Sequence, residues 1–352
     1  MIQKRILPLA LAAVLAAPLV ALGNEVEMSL AFYGKINVDV ESIKSNKVKD
    51  PTTTAPSIVR LQSKSSRFGF KGSKTLGEDL QAIYQFEVQI DPANDQNKDI
   101  PFTGVRNSQI GLKGDFGTLF AGNWDTPYKT AHKKIEPFEK TSVFSTTNLV
   151  GVTGNGKNYN TRQNNVIQYW TPNLNGFTGK VSYALDSAKT ATQNKTSLSL
   201  SVAYEGDLLY AGLAYENRAD QTTLTKSDSA ARLLGAFKFT NGQVGVMREH
   251  MSVADTLTTT ATQNNIELAG LYKIDRSNLS VSYAKNGNYN GAPNTGAKQF
   301  TLRYGYNHSV STELYAAYTS LHNDTAANYG FYKGSAIGSK QTGLGLGMIH
   351  SF

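Results

Sequence analysis

Gly343-Leu344-Gly345-Leu346-Gly347-Met348-Ile349-His350-Ser351-Phe352 is the stretch whose reading decides the fold. Leu344, Leu346, Met348 and Phe352 fall on one parity, and small or polar residues take most of the other. Alternation at period two marks a strand with a single apolar face. Read as the end of the chain, this strand has to pair somewhere, because a free edge invites aggregation. Closing a barrel removes the edge altogether. An outer-membrane β-barrel is therefore the first expectation.

The opposite end agrees with it. Residues 1–23 read as a secretory signal: Lys4 and Arg5 are the charged start, Ile6 to Val20 the apolar stretch, and Ala21-Leu22-Gly23 a small-residue cleavage site. A membrane anchor is the alternative, but the run is short and broken by Pro8 and Pro18. No later segment offers the roughly 18 uninterrupted apolar residues of a spanning helix. The expected organisation is a signal peptide at 1–23 and one barrel at 24–352.

Composition excludes several function classes. Cysteine is absent, so disulfides, thiolate metal sites and cysteine nucleophiles are ruled out. Only 40% of residues are hydrophobic, while 31 are Gly and 18 are Tyr, too polar a balance for a helical membrane protein. A water-filled barrel hides its polar half inside and looks soluble on average. The formal charge is +8; without Lys4 and Arg5 there are 33 basic against 27 acidic residues. A basic chain raises the question of nucleic acid, but here the charges are dispersed and the chain is read as exported, so no nucleic-acid partner is expected.

Alternation recurs from end to end. Leu30, Phe32, Gly34, Ile36, Val38 and Val40 oppose Tyr33, Lys35, Asn37, Asp39 and Glu41. Leu80, Ala82, Tyr84, Phe86 and Val88 oppose Gln81, Gln85, Glu87 and Gln89. The pattern predicts strands near 29–41, 58–72, 79–91, 104–114, 116–124, 162–172, 176–186, 196–205, 208–218, 230–240, 242–251, 263–273, 277–285, 298–307, 311–321 and 341–352. Sixteen is an even number, as a bacterial barrel with both termini on the periplasmic side requires. Short turns alternate with longer connections at 42–57, 125–161, 219–229, 252–262 and 322–340, the asymmetry of an outer-membrane barrel. A soluble sandwich is the competing architecture, but it needs two comparable apolar inner faces. A barrel this wide leaves an aqueous channel.

The stretch 125–161 is the longest connection and shows no strand pattern. It carries Asp125, Glu136 and Glu139 among the aromatics Tyr128, Phe138 and Phe144. Disordered segments are poor in aromatics, so this loop is expected to pack, and the surface on offer is the inner wall. Folding inward would carry carboxylates into the channel. An external surface loop is the alternative.

Several motifs resemble the general trimeric porins of Gram-negative bacteria, the neisserial and other β-proteobacterial ones above all. They are Tyr33-Gly34-Lys35, Ser66-Arg67-Phe68-Gly69-Phe70-Lys71-Gly72, Leu76-Gly77-Glu78-Asp79-Leu80, the run from Arg106 to Gly117, the octapeptide Gly122-Asn123-Trp124-Asp125-Thr126-Pro127-Tyr128-Lys129, and His350-Ser351-Phe352. The resemblance is continuous over the first half and the last strand; between about 190 and 340 it is mostly strand rhythm. It implies an all-β, sixteen-stranded antiparallel transmembrane barrel, a third extracellular loop folded into the lumen, and a homotrimer among outer-membrane lipid and lipopolysaccharide. It also implies a water-filled channel for small hydrophilic solutes and ions, without cofactor or metal. By the same resemblance, Lys35, Arg67, Arg106 and Arg162 match a basic cluster on the pore wall. Asp125, Glu136 and Glu139 would supply the acidic side.

Parity tests these assignments separately. Lys35 groups with Asn37 and Asp39, Arg67 with Ser65 and Lys71, and Arg162 with Asn164 and Gln168, all on polar faces. Arg106 is awkward, because it shares parity with Ile110 and Leu112; an apolar inner wall under a packed loop would reconcile it. Rings of Arg and Lys favour anions, so a weak anion preference is expected. A substrate-specific channel is the nearest alternative. An enzyme is more remote: His132, His250, His308, His322 and His350 lie in no Ser/His or His-x-x-x-His context. A structural barrel or adhesin should carry a plug, and no plug segment is evident.

Overall fold

The computed structural model describes residues 28–93, 102–138, 142–223, 226–255 and 259–352. The expected signal peptide and Glu139 lie outside the described residues. Eighteen hydrogen-bonded segments form one closed antiparallel sheet. They make sixteen strands, because two strands are each interrupted once.

The strands run β1 (Met28–Ser45), β2 (Ser57–Ser63 and Arg67–Gly77), β3 (Leu80–Ile90), β4 (Phe102–Val105 and Ser108–Gly114), β5 (Gly117–Asp125), β6 (Arg162–Trp170), β7 (Phe177–Ala184) and β8 (Ser197–Glu205). They continue with β9 (Leu209–Thr223), β10 (Lys226–Phe239), β11 (Gly242–Ala254), β12 (Thr260–Ile274), β13 (Ser277–Asn286), β14 (Ala297–Asn307), β15 (Thr312–Asn323) and β16 (Lys340–Ser351). Each pairs with its neighbours in sequence, and β16 closes onto β1 from Lys35↔Ser351 to Ser45↔Gln341. The seam explains two motif residues. Gly34 and Phe352 exchange backbone hydrogen bonds of 2.8 and 3.1 Å. The Phe352 ring lies where a Cβ on residue 34 would be, so only glycine fits beneath it.

One parity is apolar and exposed: Val40, Leu213, Leu233, Ile266, Leu268, Leu302, Leu344 and Leu346 all face outward. The other parity is buried and mixes polar with small residues, including Asn37, Asp39, Glu41, Arg232, Glu249 and Glu267. A sheet exposing its apolar face has lipid, not water, as its outer solvent.

The structure departs from the expected strands in several places. β2 breaks at residues 64–66, where Ser65 takes a left-handed φ of 55° and the register to β1 shifts by one, from Val38↔Ser63 to Lys35↔Arg67. β4 breaks at 106–107, and its register to β3 shifts likewise, from Gln85↔Gln109 to Val88↔Val105. Such bulges reverse the side-chain parity. The connections expected at 219–229 and 252–262 are mostly strand, since β9 to β12 extend past their apolar alternation through polar Thr, Ser and Asp residues. The hydrogen-bonded ladder needs only backbone groups and continues where the apolar belt stops.

Candidate functional site: a charged cavity under the long loop

Residues 126–161 begin with Thr126, whose hydroxyl accepts from the Lys129 amide and caps the short helix α1 (Pro127–His132). Proline at the first position suits a helix start, where its missing N–H costs nothing. The segment packs against the buried parity of the barrel. Tyr128, Ala131, Ile135, Leu149, Val150 and Tyr159 join one apolar cluster with Ala214, Ala230, Leu234, Met247 and Ala284 of the wall. Phe144 lies over Gly345, where an added Cβ would come within 2.6 Å of its ring, and Ile135 similarly over Gly245 at 2.7 Å. The glycines that alternate with leucine in β16 thus make room for aromatic rings: Phe144 over Gly345 and Tyr315 over Gly347.

Polar bonds fix the same segment. Glu249 is fully buried and accepts from Tyr128 Oη at 2.5 Å, Arg232 Nε at 2.7 Å, Asn265 Nδ2 at 2.7 Å and the Gly151 amide at 2.8 Å. The Arg232 guanidinium also stacks on the Tyr128 ring, 4.0 Å from its centroid. Asn286 Nδ2 donates to the Leu149 carbonyl at 3.0 Å, and Gln299 Nε2 to the Val143 and Ser145 carbonyls at 3.2 Å. Buried polar groups need such partners, and here wall side chains satisfy the loop's backbone.

A cavity of about 820 Å³ lies between this segment and strands β2 to β6. Arg67, Arg106, Arg162, Lys129 and Lys133 line it, together with Glu87, Asp125 and Glu136. The charges form a chain. Glu87 accepts from Arg106 Nε at 2.7 Å and Tyr33 Oη at 3.1 Å, with Arg67 Nε at 3.4 Å. Arg162 Nε donates to Asn107 Oδ1 at 2.5 Å and its terminal nitrogen lies 3.3 Å from Asp125. Asp125 also pairs with Lys129 and, at 2.8 Å, with Lys133. Burial pulls the Lys129 ammonium down to about 8 against the opposing pull of Asp125, which leaves it mostly charged at neutral pH.

The sequence-predicted residues divide as follows. Arg67, Arg106, Arg162, Asp125 and Glu136 line one cavity; Lys35 is buried beside it, opposite Arg67 in the β1–β2 register. Arg106 reaches Glu87 because the bulge at 106–107 reverses parity, not because the wall there is apolar. The apolar inner wall exists instead at β9 to β14, under residues 126–161. Asp125 ends a strand rather than belonging to the loop, and its carboxylate sits between Arg162 of the wall and Lys129 and Lys133 of the loop. Glu136 turns into the loop, accepting from the Phe138 amide at 3.1 Å, the Thr146 amide at 3.2 Å and the Thr146 hydroxyl. Burial and the neighbouring Glu267 push its carboxyl well above the ordinary range.

Sequence reasoning missed Glu87, Lys129 and Lys133. Lys129 and Lys133 had a local signal, following Asp125 at four and eight residues. Glu87 had only its polar parity. His132, Glu136 and Glu267 bring three ligand-capable atoms within 4.8 Å of one another; His132 Nε2 is 2.6 Å from Glu267 and Thr146 bridges the two carboxylates, so the group is satisfied internally.

Comparison with known proteins agrees with this architecture. Residues 10–326 match the family model of the Gram-negative porins. Outer membrane porin protein 32 of Delftia acidovorans is 26% identical over 97% of this chain and 98% of its own length. The major outer membrane protein P.IA of Neisseria meningitidis serogroup C is 29% identical over 57% of this chain and 54% of its own length, so that match spans about half of the neisserial protein. Among solved structures, the anion-selective porin from Comamonas acidovorans has the same fold, with a TM-score of 0.81 at 23% identity over 93% of this chain and all of that one. With a closed sixteen-stranded barrel, an apolar outer face and a family match over most of its length, the chain belongs to the Gram-negative porin family.

Proposed function

We propose that the protein is a general diffusion channel of the outer membrane, passing small hydrophilic solutes and ions with a weak preference for anions. The observation that carries this reading is the cavity of about 820 Å³ between the wall and residues 126–161. Five cations line it, Arg67, Arg106, Lys129, Lys133 and Arg162, against the three carboxyl groups of Glu87, Asp125 and Glu136, the last raised by burial. In this reading residues 126–161 are the third outer loop, folded into the lumen, and the cavity is the constriction. Its support is the loop's packing on wall side chains whose strand neighbours carry the exposed apolar face.

Permeating ions pass within a few ångströms of this ring. Two unit charges 4 Å apart interact by about 4 kcal/mol at an effective dielectric of 20, and salt screens over about 8 Å. A net positive ring at a narrow point therefore selects even at physiological ionic strength. Glu87 and Asp125 hold the arginines in place and moderate the field, which keeps the preference weak. The named selectivity of the Comamonas relative agrees with this sign. Assembly as a homotrimer completes the proposal; one neighbour of the same fold, OmpT of Vibrio cholerae, is described in a trimer form.

Liposome swelling separates a general channel from a substrate-specific one. Uptake of uncharged sugars should fall smoothly with size and show no saturation. Saturable uptake of one solute class would favour a specific channel instead.

A further inference from the structure

The chain's two tryptophans, Trp124 and Trp170, stand together on the inner wall. With Phe120 they form a triangle of edge-on rings. The centroids are 5.1 Å apart for Phe120 and Trp124, 5.0 Å for Phe120 and Trp170, and 5.9 Å for the two indoles. Phe120 and Trp124 of β5 are buried, whereas Trp170 of β6 is only partly so. Hydrogen bonds tie the group to the charged cavity. Trp170 Nε1 donates to Gln168 Oε1 at 3.2 Å, and Gln168 Nε2 to the Asp125 carbonyl at 3.2 Å. Trp170 ends β6 at a short turn, so the cluster lies just beyond the cavity, toward the short-turn side.

The register partner of Trp170 on β7 is Lys180, whose ammonium lies 4.8 Å from the indole centroid. An aromatic face attracts a cation, but it does not neutralise one. The neighbouring lysines have acids of their own. Lys133 pairs with Asp125 at 2.8 Å, and Lys134 and Lys238 share Glu205 at 2.6 and 2.8 Å. Lys180 pairs with no carboxylate among the described residues, and the charges acting on it are those of Lys134 and Lys133. Core filling accounts for Phe120 and Trp124. It does not account for a third ring left partly open beneath an uncompensated ammonium. A solute with one negative charge and one flat apolar face matches both features. A small inorganic anion would use the lysine alone, and a neutral sugar has no charge to offer. A carboxylate joined to an aromatic ring carries the two side by side, and ring packing adds to simple area burial.

We propose that Trp170 and Lys180 form a weak binding site for aromatic monocarboxylates passing through the channel, with Lys180 taking the carboxylate and the open part of the indole taking the ring. The site rests on the channel reading above. Conduction needs binding weak enough for release, so the site favours one solute class within a general channel, and uncharged sugars pass without it.

Because the chain holds no other tryptophan, indole fluorescence reads this cluster alone. The full-length protein, refolded in detergent, is titrated at constant ionic strength with benzoate, cyclohexanecarboxylate and acetate, with excitation beyond the benzoate absorption band. Benzoate should change the emission saturably, in the millimolar range. K180Q should bind it about fivefold or more weakly, and K180R like the wild type. Cyclohexanecarboxylate has the charge but no aromatic face and should bind about threefold or more weakly than benzoate; acetate should give no saturable change. Equal affinity of wild type and K180Q for benzoate would overturn the proposal. So would equal affinity of the wild type for benzoate and cyclohexanecarboxylate, a comparison that stands whether or not K180Q folds. The same wild-type protein in a planar bilayer should conduct KCl; an absence of conductance would refute the channel reading and leave the fluorescence result standing.

Discussion

Glu87 illustrates how single residues tune the cavity. It is the only carboxylate bonded to Arg67 and Arg106 among the described residues, and it also accepts from Tyr33. Replacing it, E87Q, removes one negative charge from the ring without shortening the side chain. The chloride preference in a KCl gradient should rise, and an unchanged reversal potential would remove Glu87 from the permeation path. Because both arginines are partly exposed, the stability cost should stay near 1 kcal/mol. The same residues show where sequence legibility stops. Arg67 and Arg162 could be assigned inward from the polar neighbours that share their parity, although each stands beside a break in alternation, at Ser65 and at Asn165. Arg106 could not, since one extra residue at 106–107 reverses parity and leaves no mark in the composition of the strand. Asp125 was recognisable as a candidate, but its partners Lys129 and Lys133 depend on a helix only six residues long.

At the scale of elements, the strands were legible because lipid outside and water or loop inside impose strict alternation. Where the ladder runs beyond the lipid, at β9 to β12, alternation ends and so did the reading. The seating of residues 126–161 was legible only in outline, through aromatic content; its anchors Glu249, Asn286 and Gln299 sit on distant strands that no local pattern connects. Two predictions belong here. Substituting Glu249→Gln leaves the fully buried Arg232 without its counter-ion, a change of about 3–5 kcal/mol for buried pairs. The segment should loosen, with faster amide exchange at Tyr128 and Gly151 and noisier open-channel current; unchanged exchange would show that other contacts hold it. The second concerns pH. The Glu136 carboxyl is raised by burial and by Glu267, so its protonated form is the one the docked segment favours. Docking is therefore complete below the ordinary carboxyl range and weakens as pH rises through the raised value. Exchange at residues 142–150, corrected for intrinsic rate, should accelerate with pH in the wild type and be flat in E136Q. Equal slopes would contradict the assignment.

For the whole molecule, closure is the organising fact. β16 pairs with β1 over its full length, so no edge is left, and the apolar residues that first identified the terminal strand face outward while its glycines receive the rings of Phe144 and Tyr315. In the proposed reading, a closed wall whose cavity is lined by five cations and the acids Glu87, Asp125 and Glu136 is a channel with a positive waist. Reversal potential in a planar bilayer under a KCl gradient tests that claim most directly. The wild type should show a modest chloride preference, and the double charge reversal R67E/R162E should shift it to potassium. Clear potassium selectivity in the wild type, or a double variant that behaves like it, would contradict the account.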